Sequence, residues 1–177
     1  MPEPIEWYVL EKDENKAFLV SKYALDYQKY NKSIKQVKWE TCSLRKRLNE
    51  TFINNAFSPE EQKQLLCTKI SSEDEPSHFS DAGGNTTDKI FLLSIPEVNK
   101  YFKSDNNRRC VPTDYARSNI NLRSEDGKQT CCWWLRSLAN NSLEAPHVEQ
   151  NGKIRSSCYC VNSKEWIRPA LWIELNS

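Results

Sequence analysis

The sequence predicts an α+β fold, with β-rich segments at both ends and two main helices between them. Three observations carry this. Ile5-Glu6-Trp7-Tyr8-Val9-Leu10 and Ala17-Phe18-Leu19-Val20-Ser21 are rich in β-formers, and the polar turn Asp13-Glu14-Asn15-Lys16 separates them, as in an opening hairpin. From Thr41 to Phe57 the period changes: Leu44, Leu48, Phe52 and Ala56 recur every four residues and Ile53 and Phe57 widen the stripe. Arg45, Lys46, Asn49 and Glu50 fall opposite, which makes an amphipathic helix packing on a sheet. Finally, Ala170-Leu171-Trp172-Ile173-Glu174-Leu175 mirrors the first strand, and antiparallel pairing of the two would clamp the termini together.

The remaining elements follow from local signals. Tyr23 to Trp39 reads as irregular chain or short helix. Ser58-Pro59-Glu60-Glu61 supplies an N-cap serine, a proline in the first turn and a glutamate three residues on, so a second helix runs to about Leu66. Ser71 to Asp88 is a long polar loop, and Ile90-Phe91-Leu92-Leu93 a short buried strand. Ser94-Ile95-Pro96-Glu97 repeats the capping pattern and starts a helix to about Phe102; Pro112 to Ala116 makes a further turn or two. The C-terminal half is loop-rich and β. Cys132-Trp133-Trp134-Leu135-Arg136 is a strand whose tryptophans belong to the core, and Val148 and Ile154 flank the hairpin signal Asn151-Gly152. No repeat and no boundary interrupts the chain, so residues 1–177 are expected to form one domain.

Composition narrows the function classes. Six Trp, seven Tyr and six Phe supply large buried areas although the mean hydropathy is polar. The 25 basic and 24 acidic residues nearly cancel, and Lys32–Lys38 and Arg45-Lys46-Arg47 read as solvated faces, so nucleic acid is not an expected partner. No apolar run is long enough for membrane insertion. The N-terminal residues lack a signal-peptide pattern, which predicts a cytoplasmic location, or surface exposure if this is an excised domain. The seven cysteines include Cys131-Cys132 and Cys158-x-Cys160, neither a metal nor a redox spacing, and are read mostly as reduced and buried.

Four phrases then carry a resemblance: Trp39-Glu40-Thr41-Cys42-Ser43-Leu44-Arg45, Thr86-Thr87-Asp88-Lys89-Ile90-Phe91-Leu92-Leu93-Ser94, Trp133-Trp134-Leu135-Arg136-Ser137 and Arg168-Pro169-Ala170-Leu171-Trp172-Ile173. In this order they resemble an uncharacterised bacterial domain family similar to the C-type lectin fold, near its formylglycine-generating-enzyme branch. The variable proteins of diversity-generating retroelements belong to the same superfamily. The resemblance implies an antiparallel sheet with paired terminal strands, two bracing helices, and C-terminal loops that present a ligand-binding surface, here about residues 137–167. Relatives often carry Pro-Gly and Gly-Val where this chain has Leu138-Ala139 and Trp166-Ile167. Rewriting the adenines of asparagine codons, as retroelements do, reaches every residue type in Arg155-Ser156-Ser157-Cys158-Tyr159-Cys160, but not Glu144, Glu149, Gln150, Lys164, Glu165 or Trp166.

The residues of this window support a binding surface without the family. Strand alternation would turn Val148 and Ile154 inward and His147, Glu149, Lys153 and Arg155 outward, with His147 in an edge strand. The candidate ligand-binding residues are Asn140, Asn141, Glu144, His147, Glu149, Arg155, Ser157, Tyr159, Asn162 and Trp166, several of them rigid aromatic or Arg types that give contact area at low entropic cost. The alternative for the same residues is an ordinary solvated sheet face. Other constellations fall away. His78 and His147 are the only imidazole bases for a Cys–His pair, and Glu73, Asp74, Glu75, Asp81 and Asp88 read as a solvated acidic loop rather than a calcium site. The expectation is therefore a ligand-binding protein, not an enzyme, with no cofactor, no metal, and a protein or carbohydrate ligand. A retroelement origin of the surface is its extended form. The alternatives are a thiol-dependent enzyme using Cys158 or Cys160, and a fixed structural or assembly module of a larger bacterial protein.

Overall fold

A computed structural model describes residues 4–71, 84–118, 129–139 and 143–175, apart from the side chain of Cys158. The hairpin opens as the sequence indicates, with β1 (Trp7–Lys12) and β2 (Lys16–Ser21) antiparallel. The Asp13 carboxylate closes its turn by accepting from the backbone N–H groups of Asn15 and Lys16 at 2.8 and 2.9 Å. The unassigned stretch that follows contains β3 (Asp26–Lys29).

The long amphipathic helix is a composite. After a 3₁₀ turn (Trp39–Thr41), α1 (Ser43–Arg47) widens into a π-helical stretch (Leu48–Phe52) and resumes as α2 (Ile53–Ala56). Asn49 occupies the widened turn and explains it. Its side-chain oxygen accepts from Lys89 N–H and Ile90 N–H at 2.9 and 3.1 Å, while its amide donates to the carbonyls of Arg45 and Ile90 at 3.0 and 2.8 Å. The helix thus gives up regular spacing to hold the apolar segment 90–93. That segment is buried throughout but is not a strand; only Phe91 bridges to Ala170. The α3 helix (Pro59–Gln64) starts on the expected Ser58–Glu61 capping box and ends two residues short of Leu66. A two-stranded ribbon follows, β4 (Thr68–Ile70) with β5 (Thr86–Asp88), and β5 falls inside the segment expected to be loop. Asp88, at the end of β5, is buried and accepts from the Trp39 indole N–H, the Arg45 Nε and the Thr86 hydroxyl at 3.0, 2.7 and 2.7 Å, tying the ribbon to α1. Of the acidic residues considered for calcium, Glu73, Asp74, Glu75 and Asp81 lie outside the described residues, as does His78.

The helix α4 (Ile95–Tyr101) carries the second capping box, between Ser94 and Glu97, and is followed by α5 (Asp105–Arg108) and α6 (Asp114–Ser118). The last strands are β6 (Trp133–Trp134), β7 (Glu144–Val148), β8 (Ile154–Cys160), β9 (Lys164–Ile167) and β10 (Ala170–Glu174). Among the described residues the strands form three sheets: β1-β2-β10, β3-β9-β6-β7-β8 and β4-β5. The five-stranded sheet is antiparallel except where β6 runs parallel to β9.

The terminal strands share a sheet but do not pair with each other, which corrects the expected clamp. β10 pairs with β2, Trp172 opposite Phe18 and Leu171 opposite Leu19. The reason lies in β2, whose consecutive Ala17, Phe18, Leu19 and Val20 are all buried and so fit a central strand covered on both faces. β1 leaves Tyr8 and Val9 exposed, which fits an edge. Phe18 joins the core layers, stacked on Trp172 and Phe91 with centroids 5.0 and 5.8 Å apart. One apolar cluster runs from these rings to Trp133 and Trp134, both fully buried as core residues.

Candidate functional site

The candidate residues gather where β9, β6, β7 and β8 lie side by side. The foundation is Trp134, whose indole N–H donates to the Gln28 carbonyl at 3.0 Å and so ties β6 to β3 beyond the intervening β9. Against Trp134 packs His147, edge-on at 6.3 Å, and over His147 lies Tyr159, edge-on at 4.6 Å. Tyr159 is 38% exposed and His147 only 1%.

His147 is therefore not an outward-facing residue of an edge strand. Its strand, β7, lies between β6 and β8, and the outer strand is β8. The pairing of β7 with β8 is irregular between Ala145 and His147: Ala145 faces Tyr159, whereas His147 faces Arg155. The shift puts extra β8 residues opposite Pro146 and lets the Tyr159 ring cover the imidazole. Both ring nitrogens of His147 are buried without a hydrogen bond. Burial lowers its pKa, with Glu149 and then the Ala145 backbone, close by but without a well-formed hydrogen bond, pulling the other way, so the ring is neutral at pH 7.

Glu149 is half-buried at the end of β7 and accepts from the Arg155 Nε at 2.9 Å. That hydrogen bond is the main reason its carboxyl titrates below the ordinary range. Arg155 is exposed, and Glu144, Ser157 and Asn162 are half-buried along β7, β8 and the β8–β9 turn. Trp166 is 7% exposed, tilted against Tyr27 at 5.0 Å, and belongs to the core rather than to an open surface. Two bulky apolar residues in a strand flanked by β3 and β6 leave the indole no path to solvent. Asn140 and Asn141 lie outside the described residues.

The residue that sequence reasoning missed is Glu165. It sits on β9 opposite Gln28, is 8% exposed, and makes no hydrogen bond or ion pair among the described residues. Burial alone pushes its carboxyl up to about 7. The half-buried Cys132 thiol near it is also raised, by burial first and then by Glu165 and Glu149. A glutamate between Lys164 and Trp166 reads as the polar face of a strand. The available signal was Trp166-Ile167 beside it, which marks a strand covered on both sides. Glu165 and His147 are thus two polar side chains more than nine-tenths buried, and both ring nitrogens of His147 are left without a hydrogen bond. Each can donate to or accept from a polar group.

Among the described residues, no group of three or more His, Cys, Asp or Glu side chains is placed to hold a metal ion, and no helix is long and apolar enough to cross a membrane. Cys160 is half-buried at the end of β8. No curated protein and no solved structure matches the chain. The family model described as "Domain of unknown function (DUF6273)" matches residues 14–175, nearly the whole length, and the chain therefore belongs to the DUF6273 family.

Proposed function

We propose that this chain is a non-enzymatic ligand-binding protein on a C-type lectin-like scaffold, and that it recognises a protein or carbohydrate with the surface formed by β7, β8 and β9. One observation carries the reading. His147 is buried with neither ring nitrogen in a hydrogen bond, under an exposed Tyr159. Burying such groups unsatisfied costs about 1–3 kcal/mol each. A fold retains that cost most readily where a ligand supplies the missing partners. Rotation of Tyr159 off the imidazole would open the way, and Arg155 beside it would add a charged, planar contact at the rim. The composition of Arg155–Cys160 further supports a surface shaped by diversification, because every residue type there is reachable from asparagine codons.

The test is a printed glycan array together with a displayed peptide library, probed in parallel with the full chain and with a Tyr159→Ala/Arg155→Ala double variant. A binder that loses at least tenfold in affinity for the double variant, about 1.4 kcal/mol, supports the assignment. Binders that hold both proteins equally, or the absence of any binder in both collections, would overturn it.

A further inference from the structure

A second site lies away from this surface, where the five-stranded sheet meets the three-stranded one. Arg168 joins β9 to β10 and is fully buried. Its Nε donates to the Ser21 carbonyl at 2.8 Å, but both terminal nitrogens are buried without a hydrogen bond. The guanidinium instead lies among ring faces, its centre 5.0 Å from Phe102, 5.1 Å from Trp133 and 5.8 Å from Tyr8. No carboxylate pairs with it among the described residues. The titratable groups acting on it are the Cys110 thiol, the Tyr8 phenol and the Cys131 thiol.

These cysteines are twenty-one positions apart, yet the Cys131 N–H donates to the Cys110 carbonyl at 2.8 Å. Both are free thiols, 3% and 4% exposed, and each is the leading influence on the other's titration, while the Cys110 Sγ donates to the Lys22 and Val111 carbonyls at 3.6 Å. The Cys131 thiol and the Arg168 charge both favour the ionised form of Cys110 and lower its pKa. Burial aside, Cys132 responds to different groups, chiefly the Glu165 carboxylate, then the Gln150 backbone and Glu149. The local geometry therefore selects one pair out of three nearby cysteines.

We propose that Cys110 and Cys131 are a thiol–disulfide modification site that exchanges with small-molecule disulfides such as oxidised glutathione, with Arg168 as the positioning residue that supports the attacking sulfur. The Cys110 thiolate, its proton lost to solvent, attacks one sulfur of the small disulfide. The sulfur–sulfur bond of the reagent breaks, one reduced thiol leaves, and Cys110 carries a mixed disulfide. Cys131 then attacks the Cys110 sulfur, its proton leaves with the second thiol, and the Cys110–Cys131 bond closes. The protein loses two hydrogens and the small disulfide gains them. Since both sulfurs are buried, the exchange proceeds from a locally opened state and is slower than that of an exposed thiol. The bond closes a long loop between α5 and β6, so it restricts the unfolded chain.

The experiment exposes the full chain to oxidised glutathione, quenches with N-ethylmaleimide, and maps the peptides by mass spectrometry beside thermal unfolding. The expected result is a Cys110–Cys131 cross-linked peptide lighter by two hydrogens and a melting midpoint raised by about 5 °C. A Cys131→Ser chain should stop at a glutathione adduct on Cys110, and reduction should reverse both states. Full alkylation of Cys110 and Cys131 after prolonged oxidation would overturn the proposal, as would a dominant link to Cys132. A Cys132→Ser chain that still forms the bond separates these outcomes from damage to the fold.

Discussion

Glu165 contributes to folding with a sign that can be worked out. Its carboxyl is raised to about 7 in the folded chain and returns to about 4.5 when unfolded, so the folded state holds the proton more tightly. Stability is therefore greatest below pH 4.5, falls as the pH rises through the interval, and stays low above 7. The loss is on the order of 3 kcal/mol. Glu165→Gln, nearly isosteric and always neutral, should flatten this profile and make the chain more stable than wild type at pH 8, as measured by urea unfolding at pH 5 and pH 8. An unchanged slope would mean that the carboxyl is paired. His147 differs: its two unsatisfied nitrogens cost stability at every pH at which the ring is neutral. Neither residue could be read correctly from its neighbours in sequence. Alternation puts His147 opposite Arg155 and on the other face from Val148, and both pairings hold, but that face is covered by Tyr159 rather than by solvent. Glu165 looked like a solvated charge because strand burial on both faces is a property of the sheet, not of the residue.

At the scale of elements, short-range chemistry was the legible part. The Ser58–Glu61 and Ser94–Glu97 capping boxes start helices where the sequence places them, and Asn151-Gly152 makes the β7–β8 turn. Gly152 shows how tightly that turn is held. Its φ is +88°, and a Cβ there would run into the backbone carbonyl of Asp105 on α5. Gly152→Ala should cost about 2–4 kcal/mol by chemical denaturation, since both the left-handed backbone and a clash with main chain oppose it. A cost under about 0.5 kcal/mol would show that the turn does not rest on α5. Pairings distant in sequence were less legible. β1 and β10 look alike, so they were matched, whereas the continuous apolar run of β2 takes the central place between them. The π-helical turn was invisible for a related reason. Asn49 reads as a solvent-facing residue until the segment it braces, 89–90, is brought beside it.

At the scale of the molecule, the same core supports two distinct features. Trp133 faces the buried guanidinium of Arg168 at the junction of the two large sheets, and Trp134 supports the His147–Tyr159 pair at the far end of the five-stranded sheet. Adjacent residues of one two-residue strand thus anchor the thiol site and the proposed recognition surface. The proposed surface sets folding against binding, because His147 is polar where its two buried nitrogens find no hydrogen bond. His147→Phe keeps an aromatic ring at the site and removes both nitrogens, which separates the two demands. The decisive measurement is the affinity of a ligand selected on the wild-type chain for the His147→Phe chain, taken beside its unfolding free energy. Affinity should fall at least tenfold, about 1.4 kcal/mol, while stability stays level or rises. Undiminished affinity in a stably folded variant would contradict the account.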